Sequence, residues 1–153
     1  MKMFAMLAVG TAFLLALLAT VTSTNWYTRL AVSYQPDLER GATLYAEACA
    51  SCHGVNLEGE PNWRTPGPDG RLPAPPHDAT GHTWHHSDRV LLDITMRGTA
   101  AVVGRGYESN MPGFSDVYSE EELRDILEWI KSQWRERERQ HQARLTNQDA
   151  AMQ

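Results

Sequence analysis

A chain of 153 residues has room for one compact domain, and 42% hydrophobic with 22% charged residues is the balance of a folded protein, which excludes wholesale disorder. A formal charge of −5 excludes a surface built to neutralise phosphates, because that needs a basic surplus on one face. Nucleic acid is therefore not an expected partner, and a cationic protein is.

In chain order, Lys2 is followed by a run from Met3 to Val21 that carries no charge. About twenty apolar residues in a helix cross a hydrocarbon layer of ~30 Å, whereas the apolar part of a cleaved signal is nearer 7 to 15 residues. Residues 1–23 are expected to be a retained membrane anchor, with Trp26 and Tyr27 at the interface and the N-terminus in the cytoplasm. Cleavage near Val21 and Ser23 is the alternative. Either reading puts the rest of the chain on the periplasmic side of the cytoplasmic membrane, tethered in the first case and soluble in the second. Residues 24–36 read as a tether.

Pro36 and Asp37 open a helix in which Leu38, Ala42, Tyr45 and Ala48 recur at helical spacing. Gly41 inside it costs roughly 1 kcal/mol relative to alanine, so a close approach of another backbone is expected there. Residues 54–82 hold most of the prolines and much of the glycine, and predict a long irregular connection that wraps something. Ser87 can cap a helix over 88–97, with Val90, Leu91 and Ile94 on one face and Gly98 as its stop. A second glycine-rich loop over 98–118 is expected next. Ser119 and Glu122 then form a capping box, ahead of a buried stripe of Leu123, Ile126, Leu127, Ile130 and Trp134. Residues 135–153 alternate charge and have almost no apolar side chains, predicting a solvated helical extension that frays into a polar tail and docks on nothing. No internal repeat and almost no strand pattern is visible, so the fold class is all-α.

The chain has two cysteines, both in Cys49-Ala50-Ser51-Cys52-His53. A thioredoxin-type redox pair needs a βαβ context, a zinc clip needs two further ligands at short spacing, and a disulfide so local would staple very little. The remaining meaning of C-x-x-C-H is covalent attachment of a c-type haem. Two intervening residues put both thiols on one helical turn, where they meet the two vinyl groups, and His53 then points at the iron. One covalent haem c is the expected cofactor, with Cys49 and Cys52 as thioethers and His53 as the proximal iron ligand.

With these residues in view, the stretch from about Leu38 to Trp134 resembles the small monohaem cytochromes c of the class I type. "GATLYAEACASCHG" is similar to that family's first helix and haem site, "SNMPGF" to its distal-ligand loop and "LRDILEWIKSQ" to its last helix. The resemblance implies a cytochrome c fold of about three to four helices wrapped round one haem, with a haem domain at 37–134. It implies that the first and last helices cross with Gly41 against Trp129. It also implies that the carbonyl of Pro73 or Pro75 accepts the Nδ1 proton of His53.

The far side of the iron has six methionines to choose from. Met1, Met3 and Met6 belong to the N-terminal run, Met152 to the tail, and Met96 to a helical core position. Met111 lies in a glycine-rich loop before Pro112, a residue that stiffens the chain and brings no competing donor, and it matches the family's Met-Pro motif. It is the expected distal ligand. A neutral thioether favours Fe(II), and an iron ligated on both faces has no vacancy for substrate, so the expected role is a one-electron carrier and not an enzyme. Its partners would be redox proteins engaged by transient docking. The alternatives are a haem subunit of a larger membrane oxidoreductase complex and, with Met111 displaced, a ligand-binding haem sensor or enzyme. His77, His82, His85 and His86 around Trp84 are expected to line the haem edge and hydrogen-bond its propionates; a copper site, or replacement of Met111, is the sharper alternative.

Overall fold

The computed structural model describes residues 34–153, and the expected anchor and all but the end of the tether lie outside the described residues. Among the described residues there are six α-helices, one 3-10 turn and no strand. No helix among them is long and apolar enough to cross a membrane.

Helix α1 (Leu38–Ala48) begins at the N-cap Asp37, whose carboxylate accepts from the Arg40 amide at 2.9 Å. After a break at Cys49 comes the single turn α2 (Ala50–His53). The loop that follows folds back on itself, with the His77 amide donating to the Leu57 carbonyl at 2.9 Å and the Glu60 amide to that of Ala74 at 2.8 Å. The 3-10 turn at Thr83–His85 leads into α3 (Asp88–Arg97), whose cap Ser87 accepts from the Val90 amide at 3.4 Å. Gly98, at φ 83°, ends it.

Helix α5 (Glu120–Ser132) carries the predicted capping box, with Ser119 Oγ accepting from the Glu122 amide and Glu122 accepting from that of Ser119. Its inner face joins Tyr45, Leu57 and Leu91 in one core through Leu123, Ile126 and Ile130, with Trp134 just past the helix end. Leu127, expected in the buried stripe, is only half-buried. Gly41 lies against α5 so closely that a Cβ there would sit 2.2 Å from the Asp125 carbonyl oxygen and 3.0 Å from Trp129 Cβ. The contact with Trp129 is present, but the closer neighbour is the backbone four residues earlier. The Asp125 carboxylate, fully buried, accepts from the Asp37 amide at 2.9 Å and from Arg40 Nε. A buried anion is thus placed at the positive end of α1 and satisfied there by charge-assisted bonds.

Two expectations need correction. The loop over 98–118 contains a helix, α4 (Thr99–Val103), bracketed by Gly98 and Gly104. The C-terminal segment is not a solvated tail: the chain turns extended at Arg135 and forms α6 (Glu136–Ala151), which docks. Gln142 is buried and donates to Asp88 Oδ1 at 2.7 Å, and Thr146 Oγ1 accepts from the Asp88 amide at 3.0 Å. Asp149 accepts from Ser87 Oγ at 2.7 Å and takes two bonds of 2.8 Å from the Arg89 guanidinium. The Asp149 carboxyl is accordingly held below the usual aspartate range, by Arg89 first and then Ser87. Because each such bond contributes on the order of 1 kcal/mol net, removing the residues after Trp134 is expected to cost about 2 kcal/mol of stability. Thermal melting of the shortened protein against the full chain checks this, and an unchanged midpoint would mean the docking contributes nothing.

Candidate haem-attachment site

The site is built on α2 and the loops that converge on it. Cys49 is half-buried, Cys52 exposed, and neither is in a disulfide. Burial pushes the Cys49 thiol up to about 11, with Cys52 beside it adding to the effect. A redox-active pair needs the opposite, a thiolate stabilised near neutral pH, so the thioredoxin-type reading fails on electrostatics as well as on fold.

His53 is buried. Its Nδ1 lies 2.8 Å from the Pro75 carbonyl oxygen. A carbonyl can only accept, so Nδ1 carries the proton and the Nε2 lone pair is the one left for a metal. This places the acceptor at Pro75 rather than Pro73. Burial lowers the His53 pKa, only partly offset by the Pro75 bond, so the imidazole is neutral, the form that ligates. The ring is held from behind by His77, with ring centroids 4.0 Å apart, and by the loop geometry: the Gly59 amide donates to the His53 carbonyl at 2.8 Å. Tyr45 Oη, from α1, donates to the Gly54 carbonyl at 2.8 Å and fixes the exit from α2.

Met111 is half-buried in the loop that follows α4. Its amide donates to Ser109 Oγ at 3.1 Å, and the neighbouring Asn110 Oδ1 accepts from Arg71 Nη1 at 2.8 Å, which ties this loop to the one carrying Pro75. Thr99 Oγ1 lies 3.3 Å from Met111 Sδ. Downstream, the Phe114 amide donates to the Thr95 carbonyl at 3.0 Å and that of Ser115 to Met96 at 3.2 Å. Met96 packs against the core from α3, as its helical position predicts.

The four loop histidines do not act alike. His77 is packed between His53 and the edge of Tyr45, with Nδ1 2.8 Å from Thr83 Oγ1. His82 stacks on Trp63, His85 on Trp84, and His141 of α6 stands edge-on to both Trp84 and His85. This α6 partner was not legible in the loop itself. Among the described residues no group of three or more His, Cys, Asp and Glu is arranged to hold a metal, so the second metal site has no support there. Ser87 caps α3, as its position predicts.

The buried donor Trp84 Nε1 has no hydrogen-bond acceptor among the described residues, whereas Arg71 Nε lies 3.5 Å from a Glu108 carboxylate oxygen. A buried donor left open in this way fits a group that brings its own carboxylates, as a haem does with its propionates. Two unbridged thiols and a neutral buried imidazole with Nε2 left over make a donor set suited to covalent haem. The class defined is a small helical protein organised round one such group.

The family model described as Cytochrome c matches residues 38–134, and the chain belongs to the cytochrome c family. Searches of the curated proteins and of the solved structures returned no match. Membership brings haem c as the cofactor, with Cys49 and Cys52 fitting its C-x-x-C-H motif, and haem-based electron transfer as the activity. The matched segment stops at Trp134, so α6 lies beyond it.

Proposed function

We propose that this protein is a one-electron carrier whose haem is bonded to Cys49 and Cys52 and ligated by His53 and Met111, working at the outer face of the cytoplasmic membrane. When bound, the haem supplies a reversible couple between Fe(III) and Fe(II). The residues determine how it is held. The carrying observation is the fixed tautomer of His53, neutral and with its free Nε2 orientation set by Pro75. Met111 adds a soft, neutral donor in a loop pinned at Arg71, Ser109 and Thr95.

With both faces taken, no coordination position is left for a substrate, which favours a carrier over a sensor or enzyme. The acidic chain suits brief docking of cationic redox partners, steered by charge and weakened by salt. An anchor in residues 1–23 would raise the local concentration of the carrier near membrane-bound partners.

Carbon monoxide tests this reading. The reduced protein is expected to bind it slowly and incompletely, while rapid binding would indicate a vacant position and overturn the carrier assignment. Extraction in mild detergent tests the setting. A free haem protein is expected, and a stable stoichiometric assembly would make it a subunit of a larger oxidoreductase.

A further inference from the structure

We propose that Thr99 tunes the distal sulfur: its hydroxyl donates to Met111 Sδ, and through that bond raises the reduction potential of the iron. The proposal rests on Met111 being the distal ligand and goes beyond it by assigning the residue that sets how strongly the sulfur donates.

The argument starts from backbone. Gly98 at φ 83° seats the junction of α3 and α4 on the turn that carries Met111. A Cβ at Gly98 would come within 2.8 Å of the Gly113 nitrogen and 3.1 Å of the Met111 carbonyl oxygen. From the other side, a Cβ at Gly113 would meet the Met96 carbonyl at 2.6 Å. Two glycines facing each other across this contact let the main chains approach as side chains would not allow. The first side chain after that contact is Thr99, at the start of α4, and its Oγ1 is 3.3 Å from Sδ. The hydroxyl is not occupied with capping, since α4 has Gly98 as its cap residue and no side-chain cap bond. Thr99 is half-buried, which limits competition from solvent.

A thioether sulfur has two lone pairs and is a weak acceptor. One pair can serve the iron while the other accepts from Thr99. Donation to sulfur draws electron density away from it, and the electron-poor Fe(III) state loses more from a weakened donor than Fe(II) does. The hydrogen bond therefore favours the reduced form, as expected when an outer partner orients and tunes a ligand.

The test compares the full-length holoprotein with Thr99→Val, which keeps the branched shape and removes the hydroxyl, and Thr99→Ser, which keeps the hydroxyl. Thr99→Val is expected to retain the far-red sulfur-to-iron charge-transfer band while shifting the equilibrium about threefold toward Fe(III), a fall of roughly 28 mV at 59 mV per tenfold for one electron. Thr99→Ser is expected to stay near the parent potential. Equal potentials in Thr99→Val and the parent, with the band intact, would overturn the role of Thr99 and leave Met111 as ligand. Persistence of the band in Met111→Ala would instead overturn the ligand assignment beneath it. A loss of potential shared equally by Thr99→Val and Thr99→Ser would mean packing rather than the hydroxyl, and would also overturn the proposal.

Discussion

Gly41→Ala is expected to destabilise the protein by about 3 kcal/mol, a core-overpacking effect at the upper end of the usual range. The added methyl would lie 2.2 Å from the Asp125 carbonyl oxygen and 2.7 Å from its carbonyl carbon, and both atoms belong to helix backbone that no rotamer change can move. The helices α1 and α5 would have to separate. That would loosen the Asp125 carboxylate from the Asp37 amide and Arg40, leaving a buried charge less well satisfied. Tyr45 and Trp129, with ring centroids 4.7 Å apart in the same contact, would be displaced too. Chemical denaturation followed by tryptophan fluorescence checks this. A loss below ~1 kcal/mol, the ordinary helix-interior difference between glycine and alanine and here favouring alanine, would show that the crossing is not tight.

A second large effect is expected when both attachment residues are removed. The double substitution Cys49→Ala and Cys52→Ala should leave no covalently bound haem, read by mass spectrometry of the denatured protein, while either single substitution should leave one thioether. Stability should fall by several kcal/mol as well, because a tightly held group that binds only the native state contributes on the order of 4 kcal/mol at a thousandfold excess over its Kd. The fold gives a structural reason for that dependence. The connection over residues 54–82 places one large apolar side chain, Leu57, among the buried core residues. Its internal hydrogen bonds shape a wall, but they bury little apolar surface of their own. Covalent haem recovered from the double variant would contradict the attachment assignment.

Local chemistry made much of this architecture legible. Caps act within one turn, so Asp37, Ser87 and the pair Ser119 and Glu122 announce three helix starts from sequence spacing alone. The C-x-x-C-H motif is equally local, and the resemblance narrowed the His53 acceptor to two prolines, of which Pro75 makes the bond. What the sequence hid was long-range or polar. Helix α4 is short and flanked by glycines, and its Thr-Ala-Ala-Val-Val run has too little length for a helical period to stand out. The docking of α6 uses Gln142, Thr146 and Asp149, a stripe with helical spacing but no apolar residue. A reading based on hydrophobic periodicity passes over it, although Gln142 is fully buried. The Thr99 contact joins residues twelve apart through a fold-back at two glycines, and no spacing rule encodes it. The ring partners of the loop histidines, Trp63, Trp84, His53 and His141, come from separate segments and were hidden for a similar reason.

The most direct test of the central claim is a redox titration of the purified holoprotein beside Met111→Ala, each followed by its ferric absorption spectrum. A single one-electron transition is expected for the parent, together with a low-spin spectrum bearing the sulfur-to-iron band. Met111→Ala should lose the band and lower the potential by more than a tenfold change in the equilibrium, above about 59 mV, as sulfur gives way to water or a harder donor. A parent protein without the band, or a Met111→Ala protein that keeps both band and potential, would contradict the account.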